Sequence, residues 1–412
     1  MQEIVNYIQQ NWDRTIRVNP ADTGDLIGLP KPYTVPCISH RFQEMYYWDT
    51  YFTNVGLLLS GRLEQAQNNV ENMAYLIERY GYMPNGNRVY YLSRSQPPFF
   101  SRMVRDVYRC TGDKTWLAGM ARAAEKEYAF WQTQRMTPSG LNRYSGDWRQ
   151  SRLESARELT ARLGIALPAE DTLLDQYAAC MLAFSESGWD CNSRFGRRAH
   201  EFNPVDLNAL LYGMEQDLAF FADELQTGRA AVWHERAGRR RELSDALLWD
   251  PVREQYGDYA YLRRERSPFF SAAAFYPLFT RMCTRAQAAA TVRRLDALEN
   301  PFGVAASERR PTPSGLQWDY PHGWACLQYL VIRGLANYGY TADSRRIAEK
   351  YTAVVERNFR RTGSLWEKYD TLTGEVSVTK EYESPEMMGW SAGVYLYCRS
   401  LLDGFGTANG PV

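Results

Sequence analysis

Apolar residues recur at intervals of three and four along most of this chain, the spacing that places them on one face of an α-helix. The pattern predicts helices over Asp49–Ser60, Leu63–Arg79, Phe99–Cys110, Lys114–Met136, Asp171–Ser187 and Val205–Thr227. It continues over Arg229–Leu247, Phe269–Cys283, Gln287–Leu298, His322–Tyr338, Thr341–Phe359 and Met387–Leu402, and Met1–Arg14 also reads as an amphipathic helix. The clearest strand signal is short: Leu248–Pro251 and Tyr256–Leu262 predict one small β-hairpin. About twelve helices in antiparallel pairs with short links suit an all-α (α/α)6 toroid, six helical hairpins whose long loops form a pocket at one end. No fixed-period repeat or Pro/Ser-rich linker interrupts the pattern, so residues 1–412 are expected to form a single catalytic domain.

Charge removes several function classes. The 48 basic residues cancel the 48 acidic ones, so no general field draws the protein to nucleic acid or to an anionic membrane. No apolar run reaches the roughly 18–20 residues that span a bilayer. Seven scattered cysteines, odd in number and without C-x-x-C spacing, read as reduced thiols. With no signal-peptide pattern at the start, the expected compartment is the cytoplasm, although a chain trimmed of an export signal would read the same way. The four histidines lack metal-ligand spacing, so no metal is expected, and no nucleotide loop or organic cofactor is implied. A monomer acting on a small-molecule sugar is the expected state.

The chemistry concentrates around Trp-Asp pairs. Five occur, and three lie in aromatic or Gly-rich surroundings: Trp48-Asp49, Trp189-Asp190 and Trp318-Asp319. An indole face packs against the C–H groups of a sugar ring, and a carboxylate accepts hydrogen bonds from its hydroxyls. Asn85-Gly86-Asn87-Arg88, Ser93-Arg94-Ser95-Gln96 and Trp366-Glu367-Lys368-Tyr369-Asp370 add amides, arginines and a further carboxylate. Such a set suits a neutral, hydroxyl-rich ligand. Each residue also has a plainer reading: Trp189, Trp318 and Trp324 as core, Asp49 and Asp319 as loop braces, Arg94 and Arg152 as structural ions.

Four blocks of the chain resemble the trehalases, family 37 of the glycoside hydrolases. They are Arg41–Phe52, Pro84–Phe99, Glu186–Asp190 and Gln317–Ala325. The resemblance implies the helical toroid and an inverting glycoside hydrolase that cleaves α,α-trehalose to two glucose molecules. It places the general acid at Asp190 and the general base at Glu367. It further implies sugar contacts from Arg41, Phe42, Trp48, Asp49, Asn85, Arg94 and Gln96, with Gly188 and Trp189 beside the acid. Trp318, Asp319 and Trp324 complete the wall. Arg152 and Glu154, in a segment resembling the family's Arg-x-Glu-Ser element, are implied on the leaving-group side, and Glu381 in a loop closing over the substrate.

Some segments depart from the family pattern. Cys37–His40 replaces a Pro-Gly-Gly approach to Arg41, Thr373–Lys380 replaces a glycine-rich run, and His322 and Cys326 stand for Asn and Pro. These border the implied site and spare its carboxylates. They leave open the same chemistry on another small α-glucoside, such as a different glucose disaccharide or glucosylglycerate. A sugar-binding protein without catalysis is the alternative from another class.

Overall fold

Helices with one apolar face need cover on one side, whereas helices apolar on every side must be enclosed by others. Both kinds occur in this computed structural model, which describes residues 2–39, 41–312, 314–379, 381–386 and 389–404. Its helices are α1 (Gln2–Asn11), α2 (Tyr47–Leu59), α3 (Leu63–Tyr80), α4 (Phe100–Thr111), α5 (Lys114–Gln134), α6 (Arg152–Leu163) and α7 (Asp171–Ser187). They continue as α8 (Val205–Glu224), α9 (Ala230–Leu247), α10 (Tyr276–Phe279), α11 (Arg285–Arg293), α12 (Ala325–Asn337), α13 (Thr341–Thr362) and α14 (Gly389–Leu402).

In α2 every residue from Tyr47 to Leu57 is buried, and α8, α12 and α14 are nearly as enclosed. By contrast α9 buries only Trp233, Ala237, Arg240 and Ser244, one stripe at helical spacing. The enclosed helices form the inner ring. Around it α2 packs on α4, α4 on α8, α8 on α10, α10 on α12, α12 on α14, and α14 again on α2. Helices α1, α3, α5, α9, α11 and α13 supply the outer layer, so the fold is an (α/α)6 toroid. Glycines allow the ring to close: a Cβ on Gly393 would lie 1.9 Å from the Phe52 carbonyl oxygen, and one on Gly56 would lie 2.6 Å from the Gly393 Cα.

Three expectations change in detail. Helix α6 was not predicted; its buried face is only Ser155, Ala156, Leu159 and Thr160, too little apolar surface to show as a stripe. The segment Phe269–Cys283 is not one helix: a 3-10 turn at Ala272–Phe275 leads into the single turn of α10, with Pro277 at its start. Proline supplies no N–H to an earlier turn, so a continuous ladder cannot pass through it. His322–Trp324 is a short strand rather than the start of α12, pairing antiparallel with Lys368–Asp370. The expected hairpin forms between Trp249–Asp250 and Gln255–Tyr256, and further two-residue ribbons lie elsewhere. Met387 and Met388 of the last expected helix lie outside the described residues, as do His40 and Lys380 of the two departing segments.

Candidate active site

Several inner helices begin at one mouth of the toroid, and the candidate residues ride on those beginnings. Trp48 and Asp49 occupy the first turn of α2, Trp390 that of α14, Trp324 precedes α12, and Gln96 lies just ahead of α4. Together they line a cavity of about 310 Å³. Backbone bonds knit its loops: Tyr47 N–H donates to the Asn85 carbonyl at 3.0 Å, and Asn85 N–H to that of Arg94 at 2.9 Å. The Gln96 side-chain oxygen accepts from Trp48 N–H at 3.3 Å.

Tryptophans build the wall. Trp318 and Trp324 stack face to face at 3.8 Å, Trp48 tilts against Trp318 at 5.7 Å, and Trp390 meets Trp48 and Trp324 edge-on. Gly188 makes this possible. Its φ is +72°, and a Cβ there would lie 2.7 Å from the Trp48 ring, so both backbone and space require glycine.

Asp190 follows Gly188 at the end of α7, with a third of its side chain open to the cavity. Burial pushes its carboxyl above the ordinary aspartate range, the guanidinium of Arg162 opposes that shift, and Glu158 and Glu367 reinforce it. The Arg162 Nη1 lies 3.5 Å from the Asp190 carboxylate and 2.5 Å from that of Glu381. Burial also pushes Glu381 up to about 7, against the pull of Arg162.

Glu367 comes from the strand side. Pairing of Trp324 opposite Lys368 sets it beside the tryptophan wall. Its carboxylate accepts from Lys368 Nζ at 2.5 Å and from the Tyr382 hydroxyl at 2.9 Å. Its carbonyl accepts from the Trp390 indole N–H at 3.1 Å, tying it to the first turn of α14. Asp49 faces the same space; burial and then the charge of Glu367 push it up to about 8. A carboxyl enclosed beside another carboxylate ionises at a cost, so Asp49 favours holding its proton.

The remaining wall carries donors for hydroxyls. Arg41, Phe42, Asn85 and Arg94 line it. The guanidinium of Arg94 lies 5.1 Å from the Tyr91 ring centre, and its buried Nε has no hydrogen-bond partner among the described residues. A buried donor left in that state is costly unless a ligand accepts from it.

Most of the implied residues therefore meet: Arg41, Phe42, Trp48, Asp49, Asn85, Arg94, Gln96, Gly188, Asp190, Trp318, Trp324 and Glu367 share the cavity. Arg152 and Glu154 do not. Arg152 donates across the α6–α7 pair to Asp171 at 2.9 Å and to Asp175, and Glu154 is exposed. One helical segment further along, Glu158 and Arg162 take the position facing the cavity. Trp189 lies behind the wall, fully buried and stacked on Trp318 at 5.5 Å. Asp319 braces a loop, accepting from the Ser193 N–H at 3.0 Å and its hydroxyl at 2.6 Å. Glu381 acts on the cavity through Arg162 and Gln317 rather than by lining it. Tyr46, Tyr91, Tyr382, Trp390, Ser185, Glu158 and Arg162 line the cavity and were not singled out from the sequence. Tyr46 and Tyr91 lie inside the quoted blocks and Tyr382 beside Glu381; nothing local marks Glu158 and Arg162.

Comparison with known proteins agrees with the quoted blocks. The family described as Trehalase matches residues 1–403. The periplasmic trehalase of Pseudomonas aeruginosa is 38% identical over 425 residues, covering 96% of this chain and 76% of that protein. The probable trehalase of Oryza sativa subsp. japonica is 34% identical, covering 96% and 77%. Among solved structures, neutral trehalase Nth1 from Saccharomyces cerevisiae superposes with a TM-score of 0.79 at 29% identity, covering 96% of this chain and 79% of that one. A mannosylglycerate hydrolase from Thermus thermophilus shares the fold, with a TM-score of 0.67 at 18% identity. Matched along nearly its whole length by both the family and these relatives, this chain belongs to the trehalase family of glycoside hydrolases.

Proposed function

We propose that the protein hydrolyses α,α-trehalose to two glucose molecules by inversion, with Asp190 as general acid and Glu367 as general base. The observation that carries this reading is the pairing of two differently surrounded carboxyls on one small cavity. Asp190 is held toward its protonated form by burial, whereas Glu367 accepts from an ammonium and a phenol. The protonated carboxyl of Asp190 gives its proton to the glycosidic oxygen as the C–O bond breaks. Glu367 takes a proton from the water that attacks the anomeric carbon on the opposite face. That chemistry needs the carboxyls about 6.5–9.5 Å apart. At about 310 Å³ the cavity is at the small end of the usual range of ~300–1,000 Å³, which suits a disaccharide better than a polymer. A protein that only bound sugar would have no need of this acid–base arrangement.

The leaving-group side favours a second reading on one point. Arg152 and Glu154 lie away from the cavity, and Arg162, Glu158 and Glu381 stand at its edge instead. His322 holds Ser377 of the altered segment, Nδ1 to Oγ at 3.0 Å. Another small α-glucoside is the runner-up substrate. A panel of trehalose, other glucose disaccharides and glucosylglycerate decides between them. Trehalose is expected to be cleaved with kcat/KM within about 10⁴–10⁸ M⁻¹s⁻¹, and a larger value for another member of the panel would replace it as substrate.

Arg162 offers a test through pH. Its charge lowers the Asp190 pKa that burial raises, so Arg162→Gln should move that pKa further up. Activity that requires protonated Asp190 is lost as pH rises through this value. The alkaline limb of kcat/KM in Arg162→Gln should therefore shift to higher pH, with kcat/KM at the optimum lowered about tenfold or more. An unmoved alkaline limb would separate Arg162 from the acid.

A monomer made of a single catalytic domain remains part of the proposal, and sedimentation velocity tests the former. The names of several relatives place those proteins in the periplasm, which favours export over the cytoplasmic compartment expected from cysteine usage. Among the described residues no helix is long and apolar enough to cross a membrane.

A further inference from the structure

A larger cavity, about 760 Å³, lies inside the inner ring at the end away from the candidate active site. The helices themselves show this placement. Helix α2 gives Trp48 and Asp49 to the sugar cavity and Tyr51, one turn on, to this one; α12 follows Trp324 and contributes Tyr329, Arg333 and Asn337. Aromatic rings separate the two spaces: Tyr51 stacks on Phe99 at 4.5 Å, and its hydroxyl lies 3.2 Å from that of Tyr329.

The lining is unlike that of the sugar site. Arg102, Arg105 and Arg109 of α4, Arg281 after α10 and Arg333 of α12 all face the cavity, and Asp106 is the one acidic side chain among them in the described lining. Asp217, behind the wall, pairs with Arg105 at 2.8 Å and with Arg102 at 3.4 Å. With Arg333 left out of the count, the four guanidiniums of Arg102, Arg105, Arg109 and Arg281 against two carboxylates leave an excess of positive charge among the described residues. The C-termini of α4 and α12 also lie here, but each contributes only about half a negative charge, which does not cancel the excess. Two further observations point to a missing acceptor. The Nε of Arg105 is buried without a hydrogen-bond partner among the described residues. Desolvation and then repulsion from Arg105 depress the Arg109 pKa, against the opposing pull of Asp106 and Asp217, as expected where like charges outnumber their counter-ions.

We infer that this basal cavity is a binding site for a small phosphate-bearing molecule, distinct from the catalytic pocket. Guanidinium forks match phosphate oxygens two at a time. Tyr212, Gln216, Thr280 and Asn337 add hydroxyl and amide groups that suit the hydroxyls of an attached sugar, and the volume exceeds what inorganic phosphate needs. The ligand class is thus a phosphate monoester of a small polyol or sugar, with free phosphate as the other source of the same group.

Calorimetric titration of the full chain tests this, with glucose 6-phosphate and inorganic phosphate as probes, each run without and with excess glucose to occupy the catalytic pocket. Saturable binding of glucose 6-phosphate tighter than inorganic phosphate supports a sugar phosphate; equal binding supports free phosphate at the same site. Arg109→Gln and Arg281→Gln alter exposed side chains, and each, with its unfolding midpoint checked against wild type because Arg281 also donates to Asn337, should weaken binding about tenfold or more while sugar hydrolysis is unchanged. Asp106→Asn, which removes the carboxylate of the lining, should strengthen it. No saturable binding of either phosphate, titrations of both arginine variants superimposing on wild type, or displacement by glucose would each overturn the site.

Discussion

Asp190→Asn and Glu367→Gln should each reduce sugar-hydrolysing turnover by about 10²–10⁴-fold, the contribution of one positioned proton-transfer group. Both substitutions keep size and hydrogen-bonding shape, so the loss should fall on kcat with little change in the unfolding midpoint. The two differ in a useful way. Asn at 190 has no proton to give the leaving oxygen, so a substrate with an acidic leaving group, which needs less protonation, should lose less activity than the natural sugar. Gln at 367 cannot take a proton from water, and its loss should be similar for both substrates. Wild-type-like turnover in either folded variant would remove that residue from the mechanism, and an identical substrate dependence would exchange or dissolve the assigned roles.

The largest expected change in stability lies just beyond the acid. Arg194 donates to Asp258 at 2.5 and 2.6 Å and to Asp206 at 2.6 Å, and its guanidinium also stacks 5.1 Å from the Trp189 ring. Arg194 is 1% exposed, Asp206 0% and Asp258 2%. Arg194→Met would leave two carboxylates buried without their cation, at a cost of about 3–5 kcal/mol. The midpoint of urea unfolding should fall accordingly. Arg194→Lys should recover only part, because an ammonium lacks the fork that serves both partners. Removing all three charges together, with Asp206→Asn and Asp258→Asn added to Arg194→Met, should be milder than Arg194→Met alone, since the penalty arises from unpaired charge rather than lost contact. A triple variant no more stable than the single one would show that packing, not charge, is what Arg194 provides.

Periodicity marked most of the helices from which the toroid is built. Helices such as α3 and α13 show one apolar stripe and α2 and α12 are apolar nearly all round, and these patterns follow from residue spacing before any packing is known. The carboxylates Asp190 and Glu367, the amides and arginines at Asn85, Arg94 and Gln96, and the tryptophans at 48, 318 and 324 were legible because each lies in a local run whose order carries the family resemblance. Tertiary structure decided the rest, wherever a role depends on which side of an element faces the cavity. Arg152 and Arg162 belong to the same helix, and only its packing against α7 turns the first toward Asp171 and Asp175 and the second toward Asp190 and Glu381. Trp189 and Trp390 are equally aromatic in the sequence, yet the first lies behind Trp318 and the second in the wall, because α14 begins at the mouth. The basal arginines are spread over three separate stretches of chain and become one charged chamber only when the inner ring closes. Local spacing specifies faces and caps; the direction a side chain finally takes is a property of its neighbours, and those are distant in sequence.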